Sequence, residues 1–479
     1  MSGPLDSAFL SVFLLLLLAI VTMEACRRAH VASYDSPRAF LFRGRLPIHS
    51  LASNIGATFS VTYFFGAVVI YAQFFKSWIV LLLALFFPTL ALIYGKIIKV
   101  IENDLPVEGW ASQQGNILLE LLKLRLPAQT FESLMSLFLV IYVALLAEEL
   151  AVSRLIFSSI VPDNPVVVAF LLSVICLVIV VYLSYGGFRA VLIADYVQGL
   201  VLCAFFAMLG LLVIQHGTES SLISFPTSDS DIRFANLSLV AVLGLAWFLG
   251  GIDYFSRFNF DSRSPHELSE KRLRLVKVTS LLLFICLSLG ILFSQALSDE
   301  IPTRIMPTRY VGLLTSFFLF KTPPIYRIIF IVSVHCMVFT TINTILVTIL
   351  QISAYKPKNP LNRERLLLIL LIAVFGSGLI AKDRVHTIGI FIASLFILPS
   401  FPIVRSLFPR PASGIPINVR YLWWALGGSV IIFAAIEPRI DSSFDYHFLI
   451  PGIPTALVLA SLGLSKGLVM LRKGKVNDA

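Results

Sequence analysis

Apolar runs of about twenty residues recur along the whole chain, separated by short polar or charged connections. A helix needs ~20 residues to cross ~30 Å of hydrocarbon. Taken at that length, the runs fall near 8-26, 49-72, 77-99, 132-158, 164-185, 189-214, 236-257, 274-298, 324-355, 364-381, 385-407, 419-436 and 447-470. The pattern predicts an all-α polytopic membrane protein of thirteen transmembrane helices. An odd number of crossings puts the two chain ends on opposite sides.

Composition agrees: 58% of the 479 residues are hydrophobic and 13% charged, too little polar surface to cover a soluble globule of this length. The net charge of +10 suggests nucleic acid until its placement is examined. Lys and Arg gather in alternate loops: Arg27 to Arg45, Lys96 and Lys99, Arg257 to Arg274, Lys356 to Arg365, Arg405 and Arg410, and Lys466 to Lys475. The opposite loops, such as 215-235 and 437-446, are rich in Asp, Ser and Thr. That is a positive-inside signature. It predicts a cytoplasmic carboxyl terminus, an outside amino terminus and a multi-pass protein of the plasma membrane (the inner membrane in a bacterium), with the lipid bilayer and no nucleic acid as partner. Residues 1-26 hold Asp6, lack a basic start and are followed by Arg27 and Arg28, so the first helix is expected to be retained. Five cysteines stand in or at the ends of spans without CxxC spacing, which implies packing rather than a disulfide or metal framework.

Within this apolar pattern a few polar positions carry candidate chemistry. The span 50-72, LASNIGATFSVTYFFGAVVIYAQ, has a small-residue and hydroxyl cluster where a helix unwound near Gly56 would free carbonyls for an ion. Helix packing through small residues is the plainer reading of that span taken alone. The span 132-158 holds Glu148, Glu149 and Arg154, and such charges face a bundle interior or cavity. Two adjacent carboxylates do not both face inward comfortably, so one of the pair at most is expected to meet solute or ion. Arg154 is expected to reach for the interface. In NILLELLKLRL, residues 116 to 126, leucines alternate with Glu120, Lys123 and Arg125, which predicts a helix on the membrane surface with its basic side toward headgroups. HVASYD, 30 to 35, has the HxxxxD spacing of some acyltransferases, but no supporting residues stand near it and no enzyme is expected.

The most specific passage is YGGFRAVLIADYVQG, 185 to 199. Gly186 and Gly187 suit a tight turn that needs positive φ. Asp195, about two turns into the next span, requires a cation, a proton or a basic partner. GGFRAVLIADYVQ resembles the sodium/solute symporter family passage in which two glycines, a basic or polar residue, Ala-Val, then Asp and Gln follow at this spacing. The count of spans, the outside amino terminus and the order of loops match as well. The resemblance implies a leucine-transporter-type fold: two inverted repeats of five helices, 49-214 and 236-407, whose first helices are both broken. On that plan 1-48 holds a preceding helix and a basic loop, 215-235 is an outer loop, and 408-479 holds two peripheral helices and a short tail. The span 236-257 carries Gly244, Gly250 and Gly251, a fitting second break. YVGLLTSFFLF within 300-323 is expected to cap the bundle outside, and Pro399 and Pro402 to bend the last core helix.

By the same resemblance Na⁺ would bind the carbonyls of Gly56, Phe59 and Met337 and the hydroxyls of Thr340 and Thr341, and would leave past Asp195. Carbonyl dipoles and hydroxyls suit this hard cation. The pair also fits ordinary bonding back to helix carbonyls. Departures from the family include Ser353 and Ala354 before Tyr355, where an acidic residue commonly stands, and Gly251 where Gln is frequent. Candidate solute contacts are Tyr63, Glu149, Trp247 and His335, the last serving equally well as a satisfied core histidine. The expected function is sodium-coupled symport of a small polar organic solute. The alternatives are H⁺ coupling and a non-transporting ligand sensor working with a partner.

Overall fold

The computed structural model describes residues 4–29, 116–162, 164–217, 307–355, 363–407, 420–440 and 450–460, together with Gly251 and single positions between 274 and 293. Every regular element among them is helical: α1 (Pro4–Ala29), α2 (Ile117–Arg125), α3 (Ala128–Ile160), α4 (Pro165–Gly217), α5 (Pro307–Ser316), a π turn (Phe317–Lys321), α6 (Pro324–Ala354), α7 (Arg363–Leu379), α8 (Val385–Ser394), α9 (Ile397–Leu407) and α10 (Arg420–Ile436). A further apolar helix runs Ile450–Ala460. Among the described residues six stretches are long and apolar enough to cross a membrane: Ser7–Arg27, Ala128–Ile160, Pro165–Ser184, Gly186–Gln215, Pro324–Ala354 and Val385–Ser406. The protein is a multi-pass membrane protein, and these spans match six of the expected crossings.

Helix α6 is the axis of the described part. From Phe330 to Ser353 nearly every side chain is buried, as befits a helix enclosed on all sides. It packs against both α4 and α3; α1 packs on α4 and also touches α6, and α5, α7 and α8 pack on α3. Phe205 of α4 meets Phe330 of α6 at 6.4 Å, whereas Asp195 meets Asn343. The later position on one helix thus faces the earlier position on the other, so the second limb of α4 and α6 run antiparallel.

Two local irregularities shape this bundle. Helix α4 is two helices joined directly at Gly187, whose φ of 54° and ψ of −147° kink the chain without a loop. Only glycine takes that conformation without a Cβ penalty. Gly186 is held for a different reason: a Cβ there would lie 2.5 Å from that of Ala190. Between α8 and α9 the helix breaks at Leu395 and Phe396. Pro399 lacks the N–H that would normally reach the Leu395 carbonyl, and that carbonyl is taken by the Leu398 amide in a tighter turn (3.0 Å). Pro402 continues inside α9.

Three expectations change here. On α2 the expected basic side is exposed at Lys123, but Glu120 is not on it: Glu120 is buried together with Leu118, Leu119, Leu121 and Leu122. The carboxylate of Glu120 is accommodated because the Tyr355 hydroxyl donates to it (2.9 Å). Glu148 and Glu149 are both buried, not one of the two. Cys203 stands exposed, beside the exposed Leu200, on the outward face of α4, while Cys26, Cys176 and Cys336 are packed inside.

Candidate functional site

The interface between the second limb of α4 and the middle of α6 is where polar side chains meet inside the apolar bundle. Two turns after the Gly187 break, Asp195 is wholly buried. The Asn343 side-chain amide donates to its Oδ1 (3.2 Å). Gln198, one turn further along α4 and also wholly buried, has neither its Oε1 nor its Nε2 in a hydrogen bond among the described residues, and Asn343 Oδ1 has no such bond either. Buried amide oxygens without donors are costly. A carboxylate with two amide oxygens close by is a hard oxygen donor set, suited to an alkali cation or an ordered water. Among the described residues no group of three or more His, Cys, Asp or Glu gathers as a metal site.

Met337, Thr340 and Thr341 lie on α6 just before Asn343, all buried. The Thr340 hydroxyl donates to the Met337 carbonyl (3.0 Å), so two of the expected cation donors are bonded to one another. Such back-bonding is the ordinary habit of helical hydroxyls, and Thr348 does the same to the Thr344 carbonyl (2.8 Å). It does not disqualify either group, because the hydroxyl oxygen keeps lone pairs for a cation. At 100° per residue Thr340 and Asn343 stand on one side of α6, 60° apart. Asn343 and Gln198 therefore join Asp195 and Thr340 as site residues. The sequence signal for Asn343 is the run of polar residues at helical spacing, Thr340, Asn343, Thr344, Thr348 and Gln351, along an otherwise apolar span.

His335 is brought elsewhere. Its Nδ1 lies 2.7 Å from the Ile331 carbonyl, which only accepts, so Nδ1 carries the proton. Nε2 then accepts from the Ser11 hydroxyl of α1 at 3.2 Å. Phe157 of α3 covers the ring at 5.2 Å. With both nitrogens engaged and the ring fully buried, His335 is a core histidine that ties α1 to α6. Among the candidate solute contacts, Glu149 lies inside α3, and Ser153 donates to its backbone carbonyl (2.7 Å). Glu148, 100° round the helix, runs against Gly389 of α8, where a Cβ would come within 2.6 Å of its Oε1. Arg154 donates to the Ile380 carbonyl just past α7 (2.9 Å) and so caps that helix, a better partner than the interface expected for it. Gly56, Phe59, Tyr63 and Trp247 lie outside the described residues.

No protein-family model matches the chain, and no curated protein does. Among solved structures it is similar to the substrate-bound, outward-open state of a Na⁺-coupled sialic acid symporter, which reveals a novel Na⁺-site. The TM-score is 0.63 at 15% identity, over 94% of this chain and 96% of that one. This chain has that symporter's fold. The likeness runs along nearly the full length of both molecules. The solved symporter is a transporter and not an enzyme.

Proposed function

We propose that the protein is a sodium-coupled symporter that imports a small polar organic solute by alternating access. The observation that carries this reading is the buried Asp195–Asn343 contact on a symporter fold, one helical turn from the Thr340 hydroxyl and beside the unsatisfied amide of Gln198. An apolar interior does not hold a carboxylate and two amide groups at such a place without a polar occupant.

In this reading Na⁺ enters from outside and settles among the carbonyls of Gly56, Phe59 and Met337 and the hydroxyls of Thr340 and Thr341, drawing the broken helix 49-72 against α6. The full chain has thirteen crossings, with repeats at 49-214 and 236-407, its amino terminus outside and its carboxyl terminus in the cytoplasm. Asp195, Asn343 and Gln198 line the way the ion leaves, offering a fixed charge and two amide oxygens in place of water. One Na⁺ moving down ~100 mV supplies about 2.3 kcal/mol, and a tenfold gradient adds about 1.4 kcal/mol. Together they sustain a few-hundredfold accumulation of solute.

Tyr63, Glu149 and Trp247 are the proposed solute contacts; His335, engaged on both nitrogens, is withdrawn from that set. A solute read by Glu149 is neutral or cationic, because a second carboxylate beside a buried one is repelled. That sets it apart from the acidic sugar of the solved symporter. The deciding experiment is thermal unfolding of purified protein in NaCl against KCl and choline chloride, in wild type and Thr341→Ala. A sodium-specific rise that the variant loses supports the reading; no sodium-specific rise sinks it. The buried pair Glu148 and Glu149 favours H⁺ as the second candidate coupling ion, and stabilisation that follows pH but not sodium would select it.

A further inference from the structure

We propose that the contact between α2 and the end of α6 is a clamp that holds one end of the bundle shut and releases during the transport cycle; this rests on the symporter reading above. Tyr355 follows α6 directly and is buried. Its hydroxyl donates to Glu120 Oε1 (2.9 Å) and accepts from the Asn116 backbone N–H (3.0 Å). Asn116 in turn caps α2, its side chain accepting from the amides of Leu118 and Leu119 at 3.1 and 3.3 Å. At the other end of α2, Arg125 donates to the Ser406 carbonyl near the end of α9 (2.5 Å). A nine-residue helix is thereby strapped across the ends of two longer ones.

The position of the strap gives it a role. Because α6 and the second limb of α4 run antiparallel, Tyr355 lies at the same end of the bundle as the Gly187 break. From the Asp195–Asn343 contact to that end is about 12 Å back along α4 to Gly187 and about 18 Å onward along α6 to Tyr355. The Lys and Arg distribution assigns this end to the cytoplasm. Anything leaving inward from Asp195 passes it.

The chemistry of the strap suits a contact that opens and closes. The leucines of α2 hold it in place by area, but the link to α6 runs through the hydrogen bonds of one hydroxyl, to the Glu120 carboxylate, from the Asn116 N–H and, at 3.5 Å, to the Asn116 carbonyl. Water can replace those bonds once the end opens, so their net worth is modest although their geometry is specific. Tyr355 also keeps an apolar contact, its ring edge-on to Phe131 at 6.1 Å, so loss of the hydroxyl leaves the packing intact.

Hydrogen exchange read by mass spectrometry on the full chain in nanodiscs, without sodium or solute, tests the clamp. Tyr355→Phe removes the hydroxyl's hydrogen bonds and retains the ring; Glu120→Ala breaks the carboxylate contact from the other side and serves if the first variant does not fold. Exchange about tenfold faster is expected in two segments together, 116–125 and the 187–198 limb of α4, because release at one exposes the other. Acceleration confined to 116–125, or none, overturns the proposal. A chain that opens both segments yet shows no sodium response fails the symporter reading and not the clamp.

Discussion

Replacing Asp195 by Asn isolates the charge at the proposed ion path while leaving its shape. The amide keeps an oxygen for the Asn343 donor now 3.2 Å away, so the local packing and that bond persist. The loss is one negative charge at a wholly buried position. A cation ~4 Å from that carboxylate gains at most about 4 kcal/mol at an effective dielectric constant of 20. Desolvation of the carboxylate offsets part of this, and a tenfold weaker site, about 1.4 kcal/mol, is the least effect expected. In sodium at a hundred times the wild-type dissociation constant, binding stabilises the wild type by about 2.7 kcal/mol; a tenfold weaker site yields about 1.4 kcal/mol. The assay is the difference in unfolding midpoint between NaCl and choline chloride, measured side by side for both proteins. Without sodium the variant should be no less stable, since it no longer buries a charge. An undiminished sodium increment in Asp195→Asn would refute the assignment of this carboxylate to the ion path.

Other outcomes separate roles within the site and the scaffold. Gly187→Ala forces a Cβ onto a φ of 54° and should cost about 1–3 kcal/mol in thermal unfolding, while Gly378→Ala, with open space around its added carbon, should cost little. His335→Gln should lower stability by about 1–3 kcal/mol through its lost pairing with Ser11 and leave the sodium increment unchanged; a lost increment would return His335 to the site. Arg154→Met should speed amide exchange at 376–384 by releasing the Ile380 carbonyl, and unchanged exchange there would show that the cap carries no weight.

The long crossings were legible because hydrocarbon leaves little choice: twenty apolar residues in a row make a helix whatever their neighbours, and the six long described spans follow those runs. The Gly186–Gly187 turn was legible for a similar reason, since few residues reach positive φ. Burial of polar side chains was not. Glu120 reads from sequence as the wet face of an amphipathic helix, and the Tyr355 hydroxyl that donates to it in the fold stands 235 positions away. Nothing local to Asn343 ties it to Asp195, 148 positions earlier. The same limit applies to His335: the Ile331 carbonyl fixes its tautomer locally, but its second partner is Ser11, 324 positions away. Partners across a bundle are properties of the assembled helices and leave no trace in spacing.

The enclosure of α6 also bears on how the molecule is made. Of the six long described spans it is the least apolar and the most completely covered. It enters the bilayer carrying His335 and Asn343 among its leucines and isoleucines. Every helix that satisfies those groups in the described structure, α1, α3 and α4, is synthesised before it. Chain order thus prepares a polar berth before the helix that needs it arrives. A truncation that delays α1 should harm insertion of α6 before it harms anything the finished protein does.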